Sequence, residues 1–269
     1  MNKEKLFDPV YYWPFVALAA RYKQNSGDKD NDPFDMIEDT IKKWLPETKV
    51  HRFFNPDKLD FAYAVEDEHS HQLLIVKLGT EGELFDPGWI GDLSPQIERK
   101  EYWERGGHVD FIKAGERVFN EFGNLIFKYS ENVVMEGHSR GVSILATARK
   151  MYRETGYIPQ RVIGYCIPGI FNHKAADEYN ACGLGGATIE VVNPHDLVDN
   201  IGFPFLKHVG TQLELPDAHA PITNKPIVGP LVMGHAYSAV HYDFKLYCEM
   251  YGLEKELEYL HKTEWVCMI

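Results

Sequence analysis

The sequence predicts an α/β fold: a mostly parallel central sheet with helices on both faces and an early antiparallel hairpin. Three observations carry this. From about residue 61 onward, short apolar runs of strand length alternate with longer segments whose apolar residues recur at helical spacing. One such run passes directly into one such helix through Gly137-His138-Ser139-Arg140-Gly141, a strand–turn–helix spelling. At 269 residues, with 44% hydrophobic and 25% charged residues, the chain can also bury a full core without disulfide or metal support. A single domain over 1–269 is expected, with 1–60 a helical amino-terminal segment and 61–269 the core that carries the chemistry.

The elements follow in order. The apolar run Trp13 to Ala20 begins beside Pro14 and continues into a helix-like pattern, so it is read as a first helix docked on the core. It lacks the layout of a signal peptide, and a cytoplasmic location is expected on that ground. QNSGDKDNDPFD (24–35) is a surface loop by its Asp, Asn and Gly content, and DMIEDTIKKWL from about Asp35 is a second helix. FAYAVEDEHSHQLLIVKL (61–78) holds two apolar runs around a charged turn, a β-hairpin. In 106–129, Phe111, Ile112, Val118, Phe119 and Phe122 lie near helical spacing. VVMEG is a strand and VSILATARKMYRET a helix. RVIGYCI (161–167), ATIEVVN (187–193) and GTQLEL (210–215) are further strands, and SAVHYDFKLYCEMYG closes as a helix with Val240, Phe244, Tyr247, Cys248 and Tyr251 on one face.

Composition excludes several classes of function. A formal charge of −12 opposes a broad nucleic-acid surface and simple electrostatic docking on anionic lipid. No run approaches the roughly eighteen apolar residues of a membrane span, so any contact with a lipid interface would be transient and apolar. Cys166, Cys182, Cys248 and Cys267 show no Cys-x-x-Cys spacing and read as buried free thiols rather than zinc ligands. The carboxyl-terminal histidines lack the His-x-x-x-His pairing of a helical metal site, and no cofactor is expected. Nothing in the sequence fixes the oligomeric state.

The pentapeptide is the place where chemistry is expected. A nucleophile on a sharp strand-to-helix turn needs small residues two before and two after it, and Gly137 and Gly141 fill those positions. The amino end of the following helix then points at Ser139 and stabilises negative charge developing there. The same letters also fit a plain turn with a capping serine; the apolar strand before and the helix after favour the nucleophile. Serine at its ordinary pKa requires a histidine base, itself oriented by a carboxylate, and on such sheets the chain order is serine, acid, histidine. ATIEVVNPHDLVDN supplies Asp196 and Asp199 after a later strand. Asp196 is preferred because it comes first and the apolar pair Leu197-Val198 anchors its loop. His235 ends a Pro- and Gly-rich loop (216–235) just before the closing helix and is the preferred base. His241, inside that helix, is the alternative, while His208 and His219 read as structural.

Together these segments resemble the class 3 lipase family of α/β-hydrolases. The family's elbow, usually Gly-His-Ser-Leu-Gly-Gly, is here Gly-His-Ser-Arg-Gly-Val. Gly79-Thr80, Trp89 and Asp92-Leu93 match a strand end followed by a tryptophan and an Asp-Leu pair. His108-Val109-Asp110-Phe111 loosely matches a His-x-Gly-Phe helix start, and Asn193-Pro194-His195-Asp196 matches the turn that bears the acid. The resemblance spans about 60–270 in the right order. It implies an oxyanion hole formed by the backbone N–H of Thr80, helped by its hydroxyl, and the N–H of Arg140, where loss of one donor costs about 2.7–4 kcal/mol of transition-state stabilisation. It also implies a mobile lid over 81–106; an ordinary surface loop with core-facing aromatics fits the same residues.

Leu78, Arg140 and Val142 depart from the family pattern. Since Arg140 would contribute its main chain, its side chain is left to shape the mouth of the site or to pair with an acid such as Glu136. The expected activity is that of a serine hydrolase of carboxylic esters, a triacylglycerol lipase or esterase acting on a lipid or small-molecule ester. A thioesterase or peptidase with the same triad, and a noncatalytic lipid- or protein-binding module on the hydrolase fold, are the rivals.

Overall fold

All six residues of Val133–His138 are buried, and a strand covered on both faces belongs in the middle of a sheet. In the computed structural model, which describes residues 8–25, 33–55, 60–78, 99–193, 196, 198, 205–216 and 237–267, this segment is the fourth of seven strands. The strands are β1 (Lys49–Asn55), β2 (Asp60–Asp67), β3 (Gln72–Lys77), β4 (Val133–His138), β5 (Arg161–Tyr165), β6 (Thr188–Val192) and β7 (Thr211–Glu214). They lie side by side in chain order. β1, β2 and β3 run antiparallel, and β3 to β7 are parallel. The predicted hairpin over 61–78 is therefore β2 and β3, whose turn is tightened by N–H groups of His69 and Ser70 donating to the Asp67 carboxylate.

The helices among the described residues are α1 (Asp8–Asn25), α2 (Pro33–Trp44), α3 (Lys100–Arg105), α4 (Val109–Tyr129), α5 (Ser143–Thr155), α6 (His173–Ala181), α7 (Leu184–Ala187), α8 (Tyr237–Tyr251) and α9 (Glu254–Cys267). The period-two alternation of the strands sends side chains to two separate cores. On one face Val134, Ile163 and Val191 pack with Trp13 of α1, Ile37 of α2, Phe244 of α8 and Leu260 of α9. On the other, Val133, Met135 and Val162 pack with Phe119 of α4, Leu145 of α5 and Tyr179 of α6. Among the described residues, no helix is long and apolar enough to cross a membrane.

The first helix docks as expected. Trp13 is fully buried, its ring 4.9 Å from Tyr165, 6.0 Å from His138 and 6.1 Å from Phe244. Such tilted and edge-on aromatic contacts add to area burial, and they bind α1 to the floor beneath the Gly-x-Ser-x-Gly turn. The surface-loop expectation for 24–35 holds only in part: its ends lie in α1 and α2, and 26–32 fall outside the described residues.

Three elements depart from the sequence reading. The 1–60 segment is not wholly helical, because Lys49–Asn55 forms the edge strand β1. The lid or loop expected over 81–106 contains α3 at its end, with Trp103 66% exposed; 81–98 lie outside the described residues. α8 is not the last helix, since α9 follows it and packs on α1, where Tyr259 donates to the Tyr11 carbonyl at 2.9 Å and Tyr11 donates to Glu256 at 3.0 Å.

Candidate active site at the end of strand β4

The turn after β4 is dictated by two glycines. A Cβ on Gly137 would stand 2.3 Å from the carbonyl oxygen of Gly141, and a Cβ on Gly141 would stand 2.3 Å from the carbonyl oxygen of Lys77. Both obstacles are backbone, so no side-chain shift relieves them. With both positions bare, the chain folds back on itself as one 3₁₀ turn, Ser139–Val142, before α5 begins. Ser139 stands at the apex with φ +56°. That left-handed conformation is uncommon for a residue with a side chain, and it persists only where the surroundings impose it.

The Arg140 side chain lies on the α4 side, its guanidinium carbon 5.8 Å from the Phe111 ring centroid, and that ring stacks on His108 at 4.3 Å. Glu136, the acid expected to pair with Arg140, turns to the opposite face of the sheet. It is fully buried there, 3.4 Å from the Tyr165 phenol oxygen, while the Tyr165 hydroxyl donates to the Pro9 carbonyl at 2.9 Å. Burial holds the Glu136 carboxyl well above the usual carboxylate range. The Tyr165 hydroxyl, shared between Pro9 and Glu136, offsets only part of that burial.

Strand register brings the turn that carries Asp196 to the same edge. His138 of β4 is level with Tyr165 of β5, which is level with Val191 of β6. Ser139 therefore stands beside Cys166, also in a left-handed conformation at φ +49°, and one step further along the edge lies the turn after β6. There the Asp196 N–H donates to the Asn193 carbonyl at 2.9 Å, and its Oδ1 accepts from the Val198 N–H at 2.9 Å. Asp196 is 1% exposed. Two strand spacings, roughly 10 Å, separate the lines of β4 and β6 from which the two turns leave.

A residue outside the sequence reading supports this turn. Asp243 of α8 is buried and accepts from the Asn193 amide at 2.8 Å, so it ties the helix that follows His235 to the turn that carries Asp196. Its signal in the sequence is an acid placed directly before Phe244, next to the helix's apolar stripe.

Thr80 and His235 lie outside the described residues. What is described is the point from which the chain approaches Thr80: β3 ends at Lys77, whose carbonyl touches Gly141, and Leu78 is buried with its N–H bonded to Phe61. His208, read as structural, holds the start of β7 to β6 through the fully buried Glu190, which also accepts the Val209 N–H at 3.0 Å. Among the described residues no group of three His, Cys, Asp or Glu side chains is placed to hold a metal ion. Cys166 and Cys248 are buried thiols, as expected, and Cys182 is half-buried.

The alternative base, His241, faces away from this edge. It is buried in α8 among Lys245 and, from α9, His261 and Glu264. Its ring nitrogens have no hydrogen-bond partner among the described residues. Burial first, and the Lys245 charge second, lower its pKa from 6.5 to about 4. A histidine kept neutral in the folded state costs nothing above pH 6.5, where the unfolded chain is neutral too. Below that the unfolded state takes up the proton first, so stability is lost as pH falls from 6.5 and the loss is complete below about 4. The loss amounts to about 3 kcal/mol. Urea unfolding across this range should show that slope in the wild type and a flatter one in His241→Leu.

No family model matches the sequence, and no curated protein matches it either. The structure does find counterparts. The triacylglyceride lipase of Rhizomucor miehei superposes with a TM-score of 0.59 at 16% identity, covering 81% of this chain and 82% of the lipase. The Lip2 lipase of Yarrowia lipolytica gives 0.57 at 18% identity, covering 82% and 84%. A triacylglycerol lipase whose catalytic centre is a serine protease triad gives 0.57 at 19% identity, covering 82% and 83%. The chain has the α/β-hydrolase fold of the class 3 lipases. In this fold the strained Ser139 turn sits at the carboxyl end of the central strand, the edge where ligands of parallel α/β sheets gather.

Proposed function

We propose that the protein is a serine hydrolase of carboxylic esters, with acylglycerols as its substrate class. The observation that carries the reading is Ser139, held at φ +56° between two glycines whose positions admit no side chain. A serine that merely capped a helix would have no need of that strain. The likeness in fold to a triacylglycerol lipase with a serine protease triad supports the same reading.

In the proposed reaction the Ser139 hydroxyl attacks the ester carbonyl carbon while His235 takes its proton. Asp196 fixes the tautomer of His235 and stabilises its imidazolium. The oxyanion is held by the N–H groups of Thr80 and Arg140, with the dipole of α5 behind the latter. Collapse of the tetrahedral intermediate breaks the C–O bond, and His235 returns the proton to the leaving alcohol. Water, deprotonated by the same histidine, then releases the acid from Ser139.

A fluorophosphonate probe tests nucleophile activation whichever ester is the substrate. One adduct, mapped to Ser139, is expected. A folded protein that remains unlabelled both with and without detergent would defeat the reading. Labelling rates also choose the base: they should collapse in His235→Ala and persist in His241→Ala, and the reverse pattern would move the role to His241.

A further inference from the structure

Away from the Ser139 edge, α3, α5 and the start of α6 enclose a cavity of about 600 Å³, well within the size range of small-molecule sites. None of the residues assigned above to ester hydrolysis lines it. One wall is aromatic: Trp103 is 66% exposed and Phe205 45% exposed. Side chains of that size left in water around a cavity are apolar surface awaiting cover.

The opposite wall is basic, in a protein of net charge −12. Arg149 and Arg153 lie one turn apart on α5, and Lys174 opens α6, all three facing the cavity. Arg149 is only 9% exposed, its guanidinium 5.2 Å from the Phe171 ring centroid. It donates to the Arg105 carbonyl at 2.8 Å and to the carboxylate of Glu178 at 3.4 Å, a half-exposed acid that also lies 4.0 Å from Lys174. The Arg153 charge beside it adds repulsion. α6 starts at the same wall, with Asn172 capping its first turn by accepting the Ala175 N–H at 3.0 Å, so the positive end of its dipole adds to the field. Arg149, Arg153 and Lys174 face two lining carboxylates, Glu104 and Glu178, so the wall keeps a net positive charge, and two guanidiniums on it match the forked geometry of a bound oxyanion.

We propose that this cavity binds an amphiphile with one oxyanion head, a carboxylate or a phosphate monoester, seated on Arg149, Arg153 and Lys174 with its apolar body against Trp103 and Phe205. The proposal is independent of the role given to Ser139.

The test is calorimetric titration of the full chain with octanoate and with octyl phosphate below their micellar concentrations, with octan-1-ol and inorganic phosphate as controls. Ser139→Ala is used throughout so that turnover cannot intervene. Saturable binding of at least one anionic amphiphile is expected, with at least tenfold weaker binding of octanol and of phosphate. Which of the two amphiphiles binds more tightly identifies the head group. Arg153 is exposed, so Arg153→Glu should fold normally and weaken that binding at least tenfold; Lys174→Glu should act in the same direction. Trp103→Ala should weaken the amphiphile and leave inorganic phosphate unchanged. Absence of saturable binding by either amphiphile overturns the proposal, as does binding that Arg153→Glu and Lys174→Glu leave intact. Octanol binding as tight as octanoate, or phosphate binding as tight as octyl phosphate, overturns it as well.

Discussion

Ser139→Ala should abolish the proposed ester turnover and leave the protein folded with unchanged stability. Loss of the nucleophile from a triad costs on the order of 10⁶ in kcat elsewhere, and here the remaining oxyanion donors would support only a residual rate. Alanine accepts the same strained backbone no better than serine does, so the φ of +56° persists and the unfolding midpoint should not move. Ser139→Gly separates strain from chemistry. It removes the hydroxyl too, yet glycine tolerates the left-handed conformation, so this variant should be inactive and more stable by about 1 kcal/mol. Paired activity assays and urea melts on the two variants read both effects. Undiminished turnover in the alanine variant would end the nucleophile assignment, and a glycine variant less stable than wild type would end the account of strain.

The second large effect is on folding. Gly141→Ala drives a methyl group to 2.3 Å from the Lys77 carbonyl, and Gly137→Ala drives one equally close to the Gly141 carbonyl. The obstacle in each case is main chain, of β3 for Gly141 and of the Ser139 turn itself for Gly137, so relief requires the turn to part from β3 or to open. Overpacking of this kind costs about 3 kcal/mol or more. Each variant should unfold at markedly lower urea, and any folded fraction should react slowly with a fluorophosphonate because the turn has opened. A stable, fully reactive Gly141→Ala protein would mean that the close approach of β3 to the turn does not hold in solution.

Much of this arrangement is legible in the residues. The hairpin, β4 to β7 and the long helix α4 announce themselves through periodicity, because each buries one clear face or two. β1 does not. KVHRFFN alternates poorly, Arg52 reaches Asp35 and Glu38 of α2, and Phe54 is 57% exposed, so this edge strand carries no core-facing stripe. α6 hides for a different reason: its buried face is Ala175, Ala176 and Tyr179, too small an apolar signal to stand out. Among the described side chains of α9, Leu260 is the one fully buried hydrophobic residue, with charged residues on the other faces. At the site, the two glycines fix the turn locally and are readable for that reason. The Asp196 turn depends on Asn193 and on Asp243, fifty residues further on, and a pairing of that range leaves no trace in local pattern. Thr80 and His235 fall outside the described residues, so their roles rest on chain order and resemblance.

The sheet whose spatial order repeats its chain order has a consequence for how the protein is made. A strand leaving the ribosome always finds its neighbour already in place, so the sheet can be laid down from one edge to the other without waiting for a later segment to be inserted between earlier ones. The cover of one face cannot keep pace. Trp13 emerges early, but Phe244 and Leu260, which share its core, are translated after every strand. Until they arrive, α1 can rest on the sheet but the part of its apolar face that meets α8 and α9 stays uncovered, and a nascent chain stalled in that interval would be a natural client for a chaperone that grips apolar helices. The same delay keeps the proposed triad incomplete until nearly all of the fold has been synthesised, so a half-made chain would have no working hydrolase to release.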